Sequence, residues 1–124
     1  MSPIELRIHD LRASVSFADG TLRLSLVGTA DASAEPAVSK LLTRIHAELL
    51  QASVREALID IRALEFMNSS CFQAFIAWII AVDHLPPGQR HRMRFLYDPT
   101  LQWQKRSLKA MVYFASDIVT VETG

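Results

Sequence analysis

The stretch from Glu56 to His84, EALIDIRALEFMNSSCFQAFIAWIIAVDH, constrains this chain more than any other, because it holds the two segments least tolerant of water. Ala57 to Ile61 is an apolar run flanked by polar residues and short enough to be a central strand. Cys71 to Val82 is apolar nearly all round and reads as a core helix, expected to bury Phe75, Trp78, Ile79 and Val82. Arg62 to Ser70, between them, reads as a loop. It delivers Asn68, Ser69 and Ser70 to the helix start, where side-chain oxygens cap backbone N–H groups and the unpaired donors favour an anion. A hydroxyl there can carry a phosphate.

The rest of the chain supplies elements to pack around this pair. Loosely alternating apolar positions from Ile4 to Phe17, followed by Asp19-Gly20, read as one strand entering a turn. Leu22, Leu24 and Leu26 alternate with Arg23 and Ser25 on a second strand, giving a hairpin that ends at Gly28. Ser33 is a candidate N-cap for a helix to about Ala52, with Pro36 in its first turn and Val38, Leu41, Leu42, Ile45, Leu49 and Leu50 at helical spacing. Pro86-Pro87-Gly88 stops the core helix. Met93, Phe95 and Tyr97 alternate as a further strand. Thr100 to Tyr113 reads as a last helix with a stripe of Leu101, Lys105, Leu108 and Val112, which puts Trp103 about 200° round from Leu101, facing outward. Ile118 to Val121 makes a final strand. Helix-linked strands prefer parallel neighbours, so the pattern predicts an α/β fold whose mixed sheet opens with a hairpin and carries helices packed upon it.

Composition limits the function classes. A chain of 124 residues fits one domain, spanning 1–124, with a core large enough to stand without disulfides or metal. Thirteen basic residues balance thirteen acidic ones, so no net field draws nucleic acid or anionic membrane, although Arg90, Arg92, Arg94, Lys105, Arg106 and Lys109 make the last third locally basic. The single cysteine, Cys71, excludes an intramolecular disulfide and fits a reducing compartment. The opening residues lack a signal pattern, and no apolar run approaches the ~20 residues that span a bilayer, so a cytoplasmic protein without membrane insertion is expected. His9, His46, His84 and His91 have no ligand-like spacing, and no phosphate loop, nucleophile elbow or carboxylate pair is visible. Neither a metal, a cofactor nor an active site is therefore expected.

Three features together resemble the STAS domain family, the anti-sigma-factor antagonists and their relatives: the hairpin ending near Gly28, the strand motif Leu58-Ile59-Asp60-Ile61, and Phe66-Met67-Asn68-Ser69-Ser70 opening a helix. The resemblance runs over most of the chain, and its specific part is Leu58 to about Phe75. In that family the hydroxyl residue directly after an aspartate is phosphorylated by a partner serine kinase and restored by a phosphatase; by position it is Ser69 here, with Ser70 as the alternative. Asn68 stands where the family usually has Asp, and Cys71 where it usually has Gly. Asn followed by hydroxyl residues, with Phe95-Leu96-Tyr97-Asp98, is also similar to the SiaC-type STAS-like regulators. The resemblance implies a non-catalytic signalling module. Its partners would be a serine kinase or anti-sigma factor of the histidine-kinase-like ATPase fold, a metal-dependent serine phosphatase and a downstream target such as a diguanylate cyclase.

Each singled-out residue also has a plainer role. Ser69 serves equally as a helix cap, worth about 1 kcal/mol. Asp60 either orients the loop or a kinase-bound metal, or simply bonds loop backbone. Met67 is expected to project beside Ser69 toward a partner or to fill the core. Trp103 is an interface anchor or a buried aromatic. Cys71 is a small buried hydrophobe or a thiol activated by the helix start. An unmodified scaffold that uses the same surface for constitutive assembly is the main alternative, with a small-ligand-binding domain or enzyme behind it.

Overall fold

A computed structural model describes residues 4–52 and 54–123. Six strands, β1 (Ile4–Ile8), β2 (Leu11–Ala18), β3 (Thr21–Ala30), β4 (Glu56–Met67), β5 (Arg92–Leu96) and β6 (Val119–Glu122), lie side by side in sequence order. The first three form an antiparallel meander; β3 to β6 are parallel and joined by the helices α1 (Glu35–Gln51), α2 (Ser69–Asp83) and α3 (Gln102–Phe114). When parallel strands are laid down in order with crossovers of one hand, every crossover helix falls on the same face of the sheet.

Burial agrees with that one-sided layering. Leu22, Leu24 and Leu26 of β3, Ala57, Ile59 and Ile61 of β4, and Met93 and Phe95 of β5 point into a core completed by Val38, Leu42 and Ile45 of α1 and Phe75, Ile79 and Val82 of α2. Trp78 is buried with them, and Phe75 meets Phe95 edge-on with ring centroids 6.5 Å apart. The other face is open and charged, its strands cross-linked by Arg23–Asp60 at 2.7 Å and by Arg94 to both Glu56 and Glu122. Leu58 faces this side yet is buried, because Arg23 and Arg94 flank it in register and their aliphatic stems cover it.

Several boundaries differ from the sequence pattern, each for a local reason. Ile4 to Phe17 is two strands, since His9 (φ 51°) and Asp10 make a two-residue turn between Ile8 and Leu11 without the glycine or asparagine that usually marks one. The expected Asp19-Gly20 turn is present. β3 continues beyond Gly28 to Ala30, because Gly28 at φ 103° lets the strand pass against the Asp10 carbonyl, which a Cβ would strike. Ser33 lies within a single 3-10 turn, Ala32–Ala34, capped by Asp31; α1 follows it with Pro36 in the first turn and no side-chain cap. The buried stripe of α3 is Gln104, Leu108 and Met111, so Lys105 is exposed and Trp103 is half-buried against the core instead of facing outward.

Candidate functional site

The expected loop from Arg62 to Ser70 is strand almost to its end. β5 stops where Leu96 pairs with Asp60, but β4 runs on to Met67, paired only with β3 through Met67 and Ala30. The register shifts between Ser25 and Val27 and again between Gly28 and Thr29, and these irregularities expose Arg62 with Ala63 and Glu65 with Phe66. Period-two alternation is lost there, which is why the sequence pattern ends the strand at Ile61.

Where β5 no longer supplies a partner, one side chain does. Gln104, fully buried, donates from Nε2 to the carbonyls of Ile61 (2.6 Å) and Leu64 (2.9 Å), while its Oε1 accepts the Asp98 N–H at 2.8 Å. α3 thereby stands in for the missing strand and holds the β3–β4 extension against the core. The sequence offered little sign of this, since a glutamine at a helix start reads as solvent-facing.

The extension ends in a tight junction with α2. The Asn68 N–H donates to Ala30 O at 2.7 Å, and the Asn68 side chain caps α2, its Oδ1 accepting from the Ser70 backbone N–H (2.9 Å) and from Ser70 Oγ (2.7 Å). The cap is therefore Asn68, and Ser69 is the first residue of the helix. Ser69 is exposed, and among the described residues its hydroxyl makes no hydrogen bond. Ser70 is half-buried with its hydroxyl engaged. Met67 is half-buried against the core, whereas Phe66 is 48 % exposed; Phe66 is the large apolar side chain presented to solvent next to this junction.

Electrostatics at the helix start are mixed. Cys71 is fully buried, its thiol near the Asp31 carbonyl (3.5 Å), and burial first, then Glu35 and Asp31, push its pKa up. This is an inert thiol, the reverse of an activated one. The same two carboxylates, contributed by the segment after β3, bring negative charge close to the α2 N-terminus and oppose the pull of its free N–H groups on an anion.

Asp60 is not part of this junction. It lies in the middle of β4 on the open face, where Arg62 binds it through Nε (3.0 Å), Nη2 (2.8 Å) and its backbone N–H, and Arg23 adds a further bond. The Arg62 hydrogen bond is the main cause of a lowered carboxyl pKa. The extended strand between Asp60 and the helix start spans roughly 25 Å, too far for direct support of Ser69. Trp103, on the first turn of α3, packs on the core with its indole N–H buried and unpartnered, and no hydrogen bond or ring contact ties it to Ser69. No residue from 66 to 72 lines the main concavities found among the described residues. Among the described residues no three His, Cys, Asp or Glu side chains cluster as metal ligands, and no helix is long and apolar enough to cross a membrane.

This architecture is the SpoIIAA-like α/β fold of STAS domains, a mixed sheet with helices on one face. Similar solved structures include an anti-sigma factor antagonist from Mycobacterium paratuberculosis, with TM-score 0.66, 17 % identity, and coverage of 99 % of this chain and 87 % of that one. SiaC in the complex of Pseudomonas aeruginosa diguanylate cyclase SiaD with its activator SiaC has TM-score 0.68 and 15 % identity, with 95 % and 97 % covered. The anti-sigma factor antagonist SpoIIAA in its unphosphorylated form has TM-score 0.51 and 18 % identity over 90 % and 88 %. No protein-family model matches the sequence, and neither does any curated protein.

Proposed function

We propose that this chain is a non-catalytic regulatory module that docks protein partners at the β4–α2 junction, with phosphorylation of Ser69 as the switch. The observation that carries the reading is the division of labour at the helix start: Asn68 caps the helix, so the Ser69 hydroxyl is exposed and committed to nothing, beside an exposed Phe66. An exposed polar hydroxyl close in sequence to an exposed apolar ring, outside the main concavities, suits contact with another protein better than enclosure of a small molecule. A phosphoserine adds about −1.5 to −2 charges at neutral pH. The free N–H groups of α2 offset part of that charge, so the fold tolerates it. Asp31 and Glu35 add to the negative field that a docked partner then meets, so phosphorylation releases any partner that lacks arginines at the contact. A serine kinase of the histidine-kinase-like ATPase fold and a metal-dependent phosphatase fit as the modifying partners, and a diguanylate cyclase, which SiaC activates in the solved complex, as a class of target.

The test is mass spectrometry after incubation with a candidate kinase, comparing wild type with Ser69→Ala and Ser70→Ala, followed by binding titrations. Phosphate is expected in wild type and Ser70→Ala and absent from Ser69→Ala. Phosphate on Ser70 would move the switch by one residue. Partner binding with no phosphate on either serine would make the chain a constitutive scaffold.

A further inference from the structure

Two concavities lie side by side on the helix-free face of the sheet, one of about 470 Å³ around Arg7, Arg12 and Ser14, the other of about 360 Å³ around Asp60, Arg62 and Ala63. Val27 lines both, so they run together as a trough across β1 to β4. We propose that this trough docks an acidic, extended segment of a partner protein, clamped at its β1–β2 end by Arg7 and Arg12. The register fixes that end, because Arg7 of β1 stands directly opposite Arg12 of β2. Their neighbours Leu6, Ile8, Leu11 and Ala13 turn to the core, so both arginines rise from the open face. Both are exposed and, among the described residues, neither forms an ion pair, whereas Arg23 and Arg62 share Asp60, and Arg94 holds Glu56 and Glu122.

Like charges directly opposite on one face of an antiparallel pair cost stability, and a carboxylate seated on them removes that cost while accepting fork-like hydrogen bonds. The rival explanation is protection of the sheet edge, since charged side chains on an outer strand discourage pairing with other chains. It accounts for Arg7 on β1 but not for Arg12, whose strand is already paired on both sides. Charge favours an acidic occupant: Arg7, Arg12 and Arg62 line the trough against Glu5 and Asp60, and Asp60 is itself shared with Arg23. Dimensions favour a peptide. Three inter-strand spacings separate β1 from β4, roughly 14 Å, which one small anion does not bridge and about four extended residues do. Between the charged ends the floor is Ser14, Ser25, Val27 and Ala63, small enough for a backbone to lie close. No aromatic residue lines either concavity to stack a base, which argues against nucleic acid. Ser69 lines neither, so this is a second partner surface that does not depend on the switch proposed at the β4–α2 junction.

The experiment is calorimetric and NMR titration of the full chain at low salt and neutral pH with hexaglutamate and, in a separate arm, a single-stranded oligothymidylate. Saturable hexaglutamate binding is expected, with amide shifts at Arg12, Ser14, Val27 and Ala63 and none at Ser69. Arg7→Ala and Arg12→Ala should each weaken it about fivefold, the effect of losing one exposed charge pair, and their combination more than about tenfold. Lys105→Ala combined with Lys109→Ala, exposed on α3 across the sheet, should leave it unchanged. The melting temperature of Arg12→Ala should hold or rise, because the like-charge pair is relieved, so that weaker binding is not a folding defect. No saturable binding, an equal loss from the α3 variant, or shifts centred on Ser69 would overturn the proposal. Tighter binding of oligothymidylate through the same residues would make this a nucleic-acid surface and overturn the acidic partner. A lowered melting temperature of Arg12→Ala with unchanged affinity would make Arg12 a structural residue and overturn the clamp.

Discussion

Replacing Gln104 with Leu should be among the most damaging single changes in this protein, although it buries more hydrocarbon at similar volume. Gln104 is fully buried and its three hydrogen bonds, to Ile61 O, Leu64 O and the Asp98 N–H, have no substitute within reach of an apolar side chain. A buried polar group stripped of its partner costs about 1–3 kcal/mol, so three of them imply roughly 3–9 kcal/mol, against a total stability on the order of 5–15 kcal/mol. Urea unfolding followed by circular dichroism measures the loss. Amide exchange adds its location: residues 61–67 of β4 and 27–30 of β3 should exchange faster than the rest, because Gln104 secures the extension that β5 does not reach. Gln104→Glu provides a second arm, since a carboxylate accepts but cannot donate; it should be destabilising at neutral pH and recover partly as acid protonates it. A loss below about 1 kcal/mol for Gln104→Leu, with exchange in the extension unchanged, would refute the role given to this side chain.

Burial, and to a lesser degree the neighbouring His46, lowers the pKa of His91 from 6.5 to about 4. The unfolded chain therefore binds the extra proton first as pH falls, and stability present above pH 6.5 is lost progressively toward pH 4, by at most about 3 kcal/mol, less any screening by solvent. Melting temperatures measured across that window should flatten in His91→Phe; an unchanged slope would place the titration elsewhere. Gly28→Ala forces a Cβ against the Asp10 carbonyl at a φ that L residues avoid, and should cost about 1–3 kcal/mol by thermal unfolding. Phe66→Ala should leave stability within about 0.5 kcal/mol but weaken a cognate partner about thirtyfold, as read by titration; unchanged affinity would remove Phe66 from the interface.

Local pattern carries a great deal here. The alternating leucines of β3, the run from Ala57 to Ile61 and the all-round apolar α2 each state their period and their burial, and together they specify a mixed sheet with helices upon it. The placement of Asn68, Ser69 and Ser70 at the start of α2 is likewise legible, because capping chemistry is local. Which of the three does the capping is not, since several oxygens compete for the same N–H groups and only the path of the chain arriving from β4 selects Asn68. Tertiary structure also decided the length of β4 beyond Ile61, because its bulged register with β3 erases the alternation that marks a strand. It decided the inward turn of Gln104, whose partners are carbonyls 40 and 43 residues earlier in the chain, and the approach of Asp31 and Glu35 to the helix start. Side-chain period reports whether a residue meets water; it does not report which distant backbone atom that residue will meet.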